Sequence, residues 1–218
     1  MSSFVKGLLT VAIALVLTPL VLVAVDLAAS QPVEPMAVLV AGACAGLLYG
    51  LEAGLLGSYD LANPKGWLLL VDLTWSLPNT LFGLVFGNLI YPFFGIPSRQ
   101  LSEGEGWISY RSRGFRFGTE VLQTLGTVNL GGRGNHEMVH VVQARILGPL
   151  FLPLQGVNYA LNFLFQVLFT ATVGAILALT GIRDTAYLRP PASSAVGGFW
   201  GWIYFATLME LWAYGTEA

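Results

Sequence analysis

Two apolar runs at the start of the chain restrict what it can fold into more than any other feature. Residues 4–25 carry a single charge, Lys6, and residues 36–57 carry a single charge, Glu52. Each run is long enough to cross a hydrocarbon core of roughly 30 Å. A cleaved leader is the rival reading of the first, but the run is longer than a leader's apolar region and LVAVDLAAS offers a poor cleavage site. Between the two lies a short break holding Pro32 and Pro35. Three further apolar stretches follow: 67–97, interrupted by Asp72 and by the SLPN of 76–79; 158–179; and 195–214, rich in Trp and Tyr with Glu210 near its end.

Composition agrees with the lengths. Of the 218 residues, 55% are hydrophobic and 10% charged, against about a quarter charged in soluble domains. Mean hydropathy is +0.69. The sequence therefore predicts a mainly α, polytopic helical membrane protein, an integral multi-pass chain of four or five embedded helices forming one membrane-embedded domain over 1–218. Membrane lipid is its first partner. A net charge of −2 with ten scattered basic residues excludes a nucleic-acid surface. One cysteine, Cys44, excludes an internal disulfide. Oligomeric state is left open.

Within the second run Gly42, Gly46, Gly50 and Gly54 recur every four residues. That spacing forms one helical stripe on which another helix can approach closely, and packing within the chain is the preferred use over a homodimer seam. Glu52 should face protein or water rather than lipid. Arg99, Arg111, Arg113, Arg116, Arg133 and Arg145 all fall in the central part of the chain. The positive-inside rule places that part, and any site in it, in the cytoplasm. A re-entrant pair over 67–97 would keep it on the same side as Lys6.

The polar region spans about 98–149. WISYRSRGFRFGTEVLQTL has β-prone residues on both sides of SRG, which predicts a small β-hairpin turning near Gly114. TVNL at 127–130 is a candidate short strand. After the glycines 131, 132 and 134, Asn135 is an N-cap for HEMVHVVQARIL, with Gly148 as C-cap and Pro149 as stop. Twelve residues make a helix about 18 Å long, too short to span.

His136 and His140 are the two histidines of the protein. Four apart on a helix, they project from one face and can reach one ion. Catalytic Zn²⁺ takes three protein ligands and leaves a fourth position for water. Glu137 sits about 100° round the helix, placed to act on the water as general base. Gln143 falls on nearly the same face, where it can hydrogen-bond a ligand or line a cleft. Arg145, Tyr204 and Tyr214 are candidate stabilisers of a developing oxyanion.

The stretch from Asn135 to Val142 resembles the active-site helix of zincin metallopeptidases. Metzincins add a third histidine, and none remains here; site-2-type intramembrane proteases add an LDG-like aspartate, and no LDG occurs. Gluzincins use a glutamate on a later helix. Glu210 and Ala213 in MELWAYG resemble the ExxA pattern of the HtpX-type and related membrane gluzincins, with Tyr214 where those families carry aspartate. The resemblance implies Zn²⁺ held by His136, His140 and Glu210, with Glu137 catalytic, and a peptide or membrane-protein substrate. Glu120, in the expected hairpin, is the main rival third ligand, with Glu103, Glu105, Glu52 and Asp72 behind it. The competing function is a non-proteolytic protein with a structural metal on a zincin-like helix. Two histidines are too few for a di-iron hydroxylase, and a transporter lacks a convincing inverted repeat.

Overall fold

The computed structural model describes residues 2–112, 123–131, 135–181, 203–204 and 206–216. The chain forms two compact units, Met1–Pro149 and Leu150–Ala218.

The first unit begins with two long helices, α1 (Ser3–Ala28) and α2 (Pro35–Leu56). Glu34 caps α2 by accepting from the Ala37 N–H at 2.6 Å, and Pro35 takes the first helical position, where no backbone donor is needed. The glycine stripe is the seam between the two. A Cβ built on Gly46 would lie 2.3 Å from the Ala14 carbonyl oxygen, and one on Gly42 2.6 Å from the Pro19 Cα. Gly50 abuts Val11, and Gly54 abuts Gly7. This register runs the helices antiparallel, and the stripe serves packing within the chain. Lys6 and Asp60 close the pair with an ion pair at 2.7 Å.

The apolar stretch after residue 64 is broken rather than straight. A 3-10 turn (Pro64–Trp67) leads into α3 (Leu68–Leu73). Beyond Thr74–Ser76, α4 (Leu77–Phe82) continues through a π turn (Gly83–Gly87), α5 (Asn88–Ile90) and a 3-10 turn (Tyr91–Phe93). The two halves meet at 87°. The reason lies in the residues at the break, since Asp72, Ser76, Asn79 and Thr80 are all buried and make side-chain hydrogen bonds that a straight helix would not reach.

A four-stranded mixed sheet follows, in the order β1-β2-β4-β3. Strand β1 (Gly95–Pro97) pairs antiparallel with β2 (Ile108–Ser112), and α6 (Arg99–Ser102) lies between them in sequence. Strand β2 pairs parallel with β4 (Val128–Leu130), which pairs antiparallel with β3 (Gln123–Leu125). The turn expected near Gly114 lies outside the described residues, as does Glu120. The tight hairpin that is seen joins β3 and β4 instead. Gly126 makes it possible, with φ of +58° and a Cβ position only 1.9 Å from the Asn79 carbonyl oxygen. The strand expected over TVNL is β4. Both β2 and β4 begin with three buried residues, so this small sheet is covered on both faces. The core gathers Tyr49, Ala53, Leu69, Leu73, Tyr91, Ile108, Val128 and Leu130 where α2, α3 and the sheet meet.

The histidine helix is α7 (Asn135–Leu147), followed by a 3-10 turn (Gly148–Leu150). It starts at Asn135 itself, one residue before the expected first turn. In the second unit, α8 (Phe151–Thr180) begins seven residues before the expected span. The expected span over 195–214 is not one helix: Ala206 and Thr207 interrupt it, and α9 (Leu208–Gly215) starts afresh with Thr207 as its N-cap. The rest of that span lies outside the described residues. Among the described residues three helical stretches, Ser3–Ala28, Pro35–Leu56 and His136–Val173, are long and apolar enough to cross a membrane, or four with the bent pair.

Candidate metal centre

Helix α7 lies against the sheet. Thr124 on β3 donates its hydroxyl to the Glu137 carbonyl at 3.2 Å, and Asn129 on β4 donates to the same hydroxyl oxygen at 3.0 Å. The strand register therefore fixes the first turn of α7.

From that turn His136 and His140 face each other. Their Nε2 atoms are 3.2 Å apart and their rings are nearly perpendicular, at 81°. Behind them His140 Nδ1 is 2.9 Å from Oε1 of Gln143, which is fully buried. An amide oxygen only accepts, so Nδ1 carries a proton, and in the neutral ring Nε2 is left with a lone pair toward His136. Fixing a ligand's tautomer from its far nitrogen is what a metal-binding histidine requires. The separation fits as well. Two nitrogens about 2.0–2.1 Å from one tetrahedral ion stand about 3.3 Å apart. The same lone pair can instead accept a proton from His136 Nε2–H; the pair is built to share something small at that point.

Glu137 is buried beside them, 5% exposed. Gln143, expected to touch either a ligand or a cleft, touches a histidine. Within the first unit the structure thus brings together His136, His140 and Gln143, with Glu137 on the adjoining face. Glu210 and Tyr214 share α9 in the second unit. Glu210 is buried, and its N–H donates to the Thr207 hydroxyl at 3.3 Å. Tyr204 stacks on Tyr159, ring centres 6.3 Å apart.

Arg145, expected as a candidate oxyanion stabiliser, is bonded away from the histidines. Its Nε and Nη2 fork onto the two carboxylate oxygens of Asp72 at 2.8 and 2.7 Å, and Nη2 also donates to the Gly106 carbonyl. The helical wheel contains the reason. Arg145 lies nine residues after His136, about 180° round the helix, so it points away from the histidines. Asp72 leaves the list of rival ligands by the same contact. It also accepts from the Tyr59 hydroxyl at 2.7 Å. Burial, and then the charge of Asp72, push the Tyr59 hydroxyl well above its usual range, so it stays a donor. Tyr59 contacts Tyr49, whose hydroxyl reaches Thr127 at 3.1 Å.

The other rivals among the described residues are engaged elsewhere. Glu52 accepts from Asn88 at 2.6 Å and from Tyr110 at 3.2 Å, which meets the expectation that it turns inward. Glu103 pairs with Arg99 and Glu105 with Lys65 at the surface.

No protein-family model, curated protein or solved structure matches this chain.

Proposed function

We propose that the chain is a membrane-embedded zinc-dependent peptidase in which His136, His140 and Glu210 hold the ion and Glu137 is the general base. The observation that carries this reading is the pair of facing imidazole nitrogens, with His140 locked from behind by Gln143. Two imidazoles and one carboxylate would make a donor set of the type that keeps a further position open in catalytic zinc sites. When bound, the ion would polarise a scissile carbonyl and acidify its water.

The chain's own residues have distinct tasks in this reading. Gln143 holds the proton of His140 on Nδ1. Glu137 accepts the water proton and hands it to the leaving amine. Strand β3, at one edge of the described sheet and bonded to the first turn of α7, offers backbone pairing to an extended peptide. With α1 and α2 as a membrane hairpin and 64–93 as a re-entrant pair, Lys6 and the site share one side, which the positive-inside rule makes the cytoplasm.

The test compares purified wild type with Glu137→Gln, His140→Ala and Glu210→Ala for bound metal and for peptide hydrolysis. Wild type carries zinc, and Glu137→Gln keeps it while losing about 10²–10⁴-fold in rate. Both other variants lose the metal. Metal-free wild type, or full activity in Glu137→Gln, would refute the reading. Zinc retained in Glu210→Ala would transfer the third position to Glu120.

A further inference from the structure

A second set of buried polar contacts gathers at the far end of α7. The last carbonyls of a helix have no partner within it, and in an apolar setting water is not there to supply one. Here the bend between α3 and α4 supplies the donors. The Ala144 carbonyl accepts from Ser76 Oγ at 3.0 Å and Asn79 Nδ2 at 3.0 Å. The Ile146 carbonyl accepts from Trp75 Nε1 at 3.2 Å, and the Gly148 carbonyl from Asn79 Nδ2 at 2.8 Å. Between these carbonyls Arg145 forks onto Asp72, and the Thr80 hydroxyl donates to the Asp72 carbonyl at 2.8 Å, closing the bend on itself.

The contact is close as well as polar. Gly148 has φ of +54°, and a Cβ on it would lie 2.3 Å from the Trp75 indole, so the ring rests directly on the backbone. On the opposite side the Asn79 carbonyl presses on Gly126 of the β3–β4 turn. Asn79 therefore touches both the end of α7 and the hairpin whose Thr124 holds the start of α7.

Asp72, Trp75, Ser76 and Asn79 all converge on the last turn of one helix, and it is the helix that carries both histidines. Ala144 lies one turn beyond His140, about 6 Å along a rigid rod, so a shift or rotation at 144 is a shift or rotation at 140. We propose that the bend at 72–79 is a positioning clamp: Ser76, Asn79 and Asp72 set the rotation and depth of α7, and through them the convergence of His136 and His140. The inference rests on the metal-centre reading for its purpose, though not for its contacts.

Two measurements separate the clamp from that reading. In detergent, wild type, Asn79→Leu and Ser76→Thr are titrated with Co²⁺, whose visible absorption reports ligand geometry, and their backbone amides are followed by hydrogen exchange. Asn79→Leu keeps the branched side-chain shape and loses the donors. The expected result is an altered Co²⁺ spectrum and affinity weakened about tenfold or more, as for other residues that orient metal ligands. Amides of 141–148 should exchange faster while α1 and α2 stay as they were. Ser76→Thr, which keeps its hydroxyl, should match wild type in both. An unchanged spectrum together with unchanged exchange overturns the clamp, as does loosening spread evenly over the whole unit. If wild-type protein gives no Co²⁺ spectrum, the metal reading falls and the exchange pattern alone decides the clamp. Should Asn79→Leu fail to fold, Ser76→Ala, which removes one donor, runs the same comparison.

Discussion

Gln143 holds one nitrogen of His140 and thereby decides what the other can do. Replacing it with leucine frees the imidazole to take either tautomer, so Gln143→Leu should weaken metal binding about 10–100-fold while the helix remains folded. Competition with a chelator of known affinity measures this. Asp72 and Arg145 pose a different residue-scale case, since both are buried, at 0% and 8% side-chain exposure. Removing one member leaves an uncompensated buried charge, and Asp72→Leu should cost about 3–5 kcal/mol, with most of it recovered when Arg145→Met is added. A denaturation series in detergent on both single variants and the double closes that cycle. At this scale the sequence was legible where spacing carried the information. His136, His140 and Gln143 fall on one helical face, and counting residues finds them. Asp72 as the partner of Arg145 could not be found that way, because 73 residues separate them and no local period links them. The count could still have warned that Arg145 points away from the histidines.

At the scale of elements, the glycine period of four announced the α1–α2 seam, because close approach demands a missing side chain at every turn. Gly46→Val should therefore destabilise the first unit by at least the roughly 1–3 kcal/mol of an overpacked core, since the atom it meets is a backbone oxygen at 2.3 Å. In contrast, Gly156 on α8 meets nothing within 4 Å, and Gly156→Ala should stabilise by up to about 1 kcal/mol through helix propensity. Thermal unfolding of the two variants side by side tests the difference. The sheet was read only in part. Strand β4 showed as a β-prone run, but β1 is three residues hidden in an apolar stretch, and Gly95 left no strand signal. The parallel pairing of β2 with β4 joins residues twenty apart, such as Ile108 with Val128. Such a pairing is set by what covers both faces, and no turn chemistry encodes it.

For the molecule as a whole, apolar length was the legible quantity, and it located α1 and α2 almost to the residue. Length alone could not show that 64–93 bends, since hydropathy averages over the few polar residues that cause the break; Asp72 and the SLPN of 76–79 were the marks that pointed to it. Sidedness has its own test. In a Cys44→Ser background, Glu103→Cys, on an exposed turn, should react with an impermeant maleimide in inside-out vesicles and resist it in right-side-out ones; the reverse pattern would put the site outside. The α1–α2 seam also has a mechanical meaning. Where backbones touch, no acyl chain can enter, so in a bilayer lipid would meet the two helices as one broad plank. Bilayers that thicken or thin tilt the helices they hold, and a bilayer around this pair would tilt the plank entire. Glu52 of α2 accepts a hydrogen bond from Tyr110 of β2, so the sheet is tied to that plank, and membrane thickness would become a load felt by the strands beside the histidines.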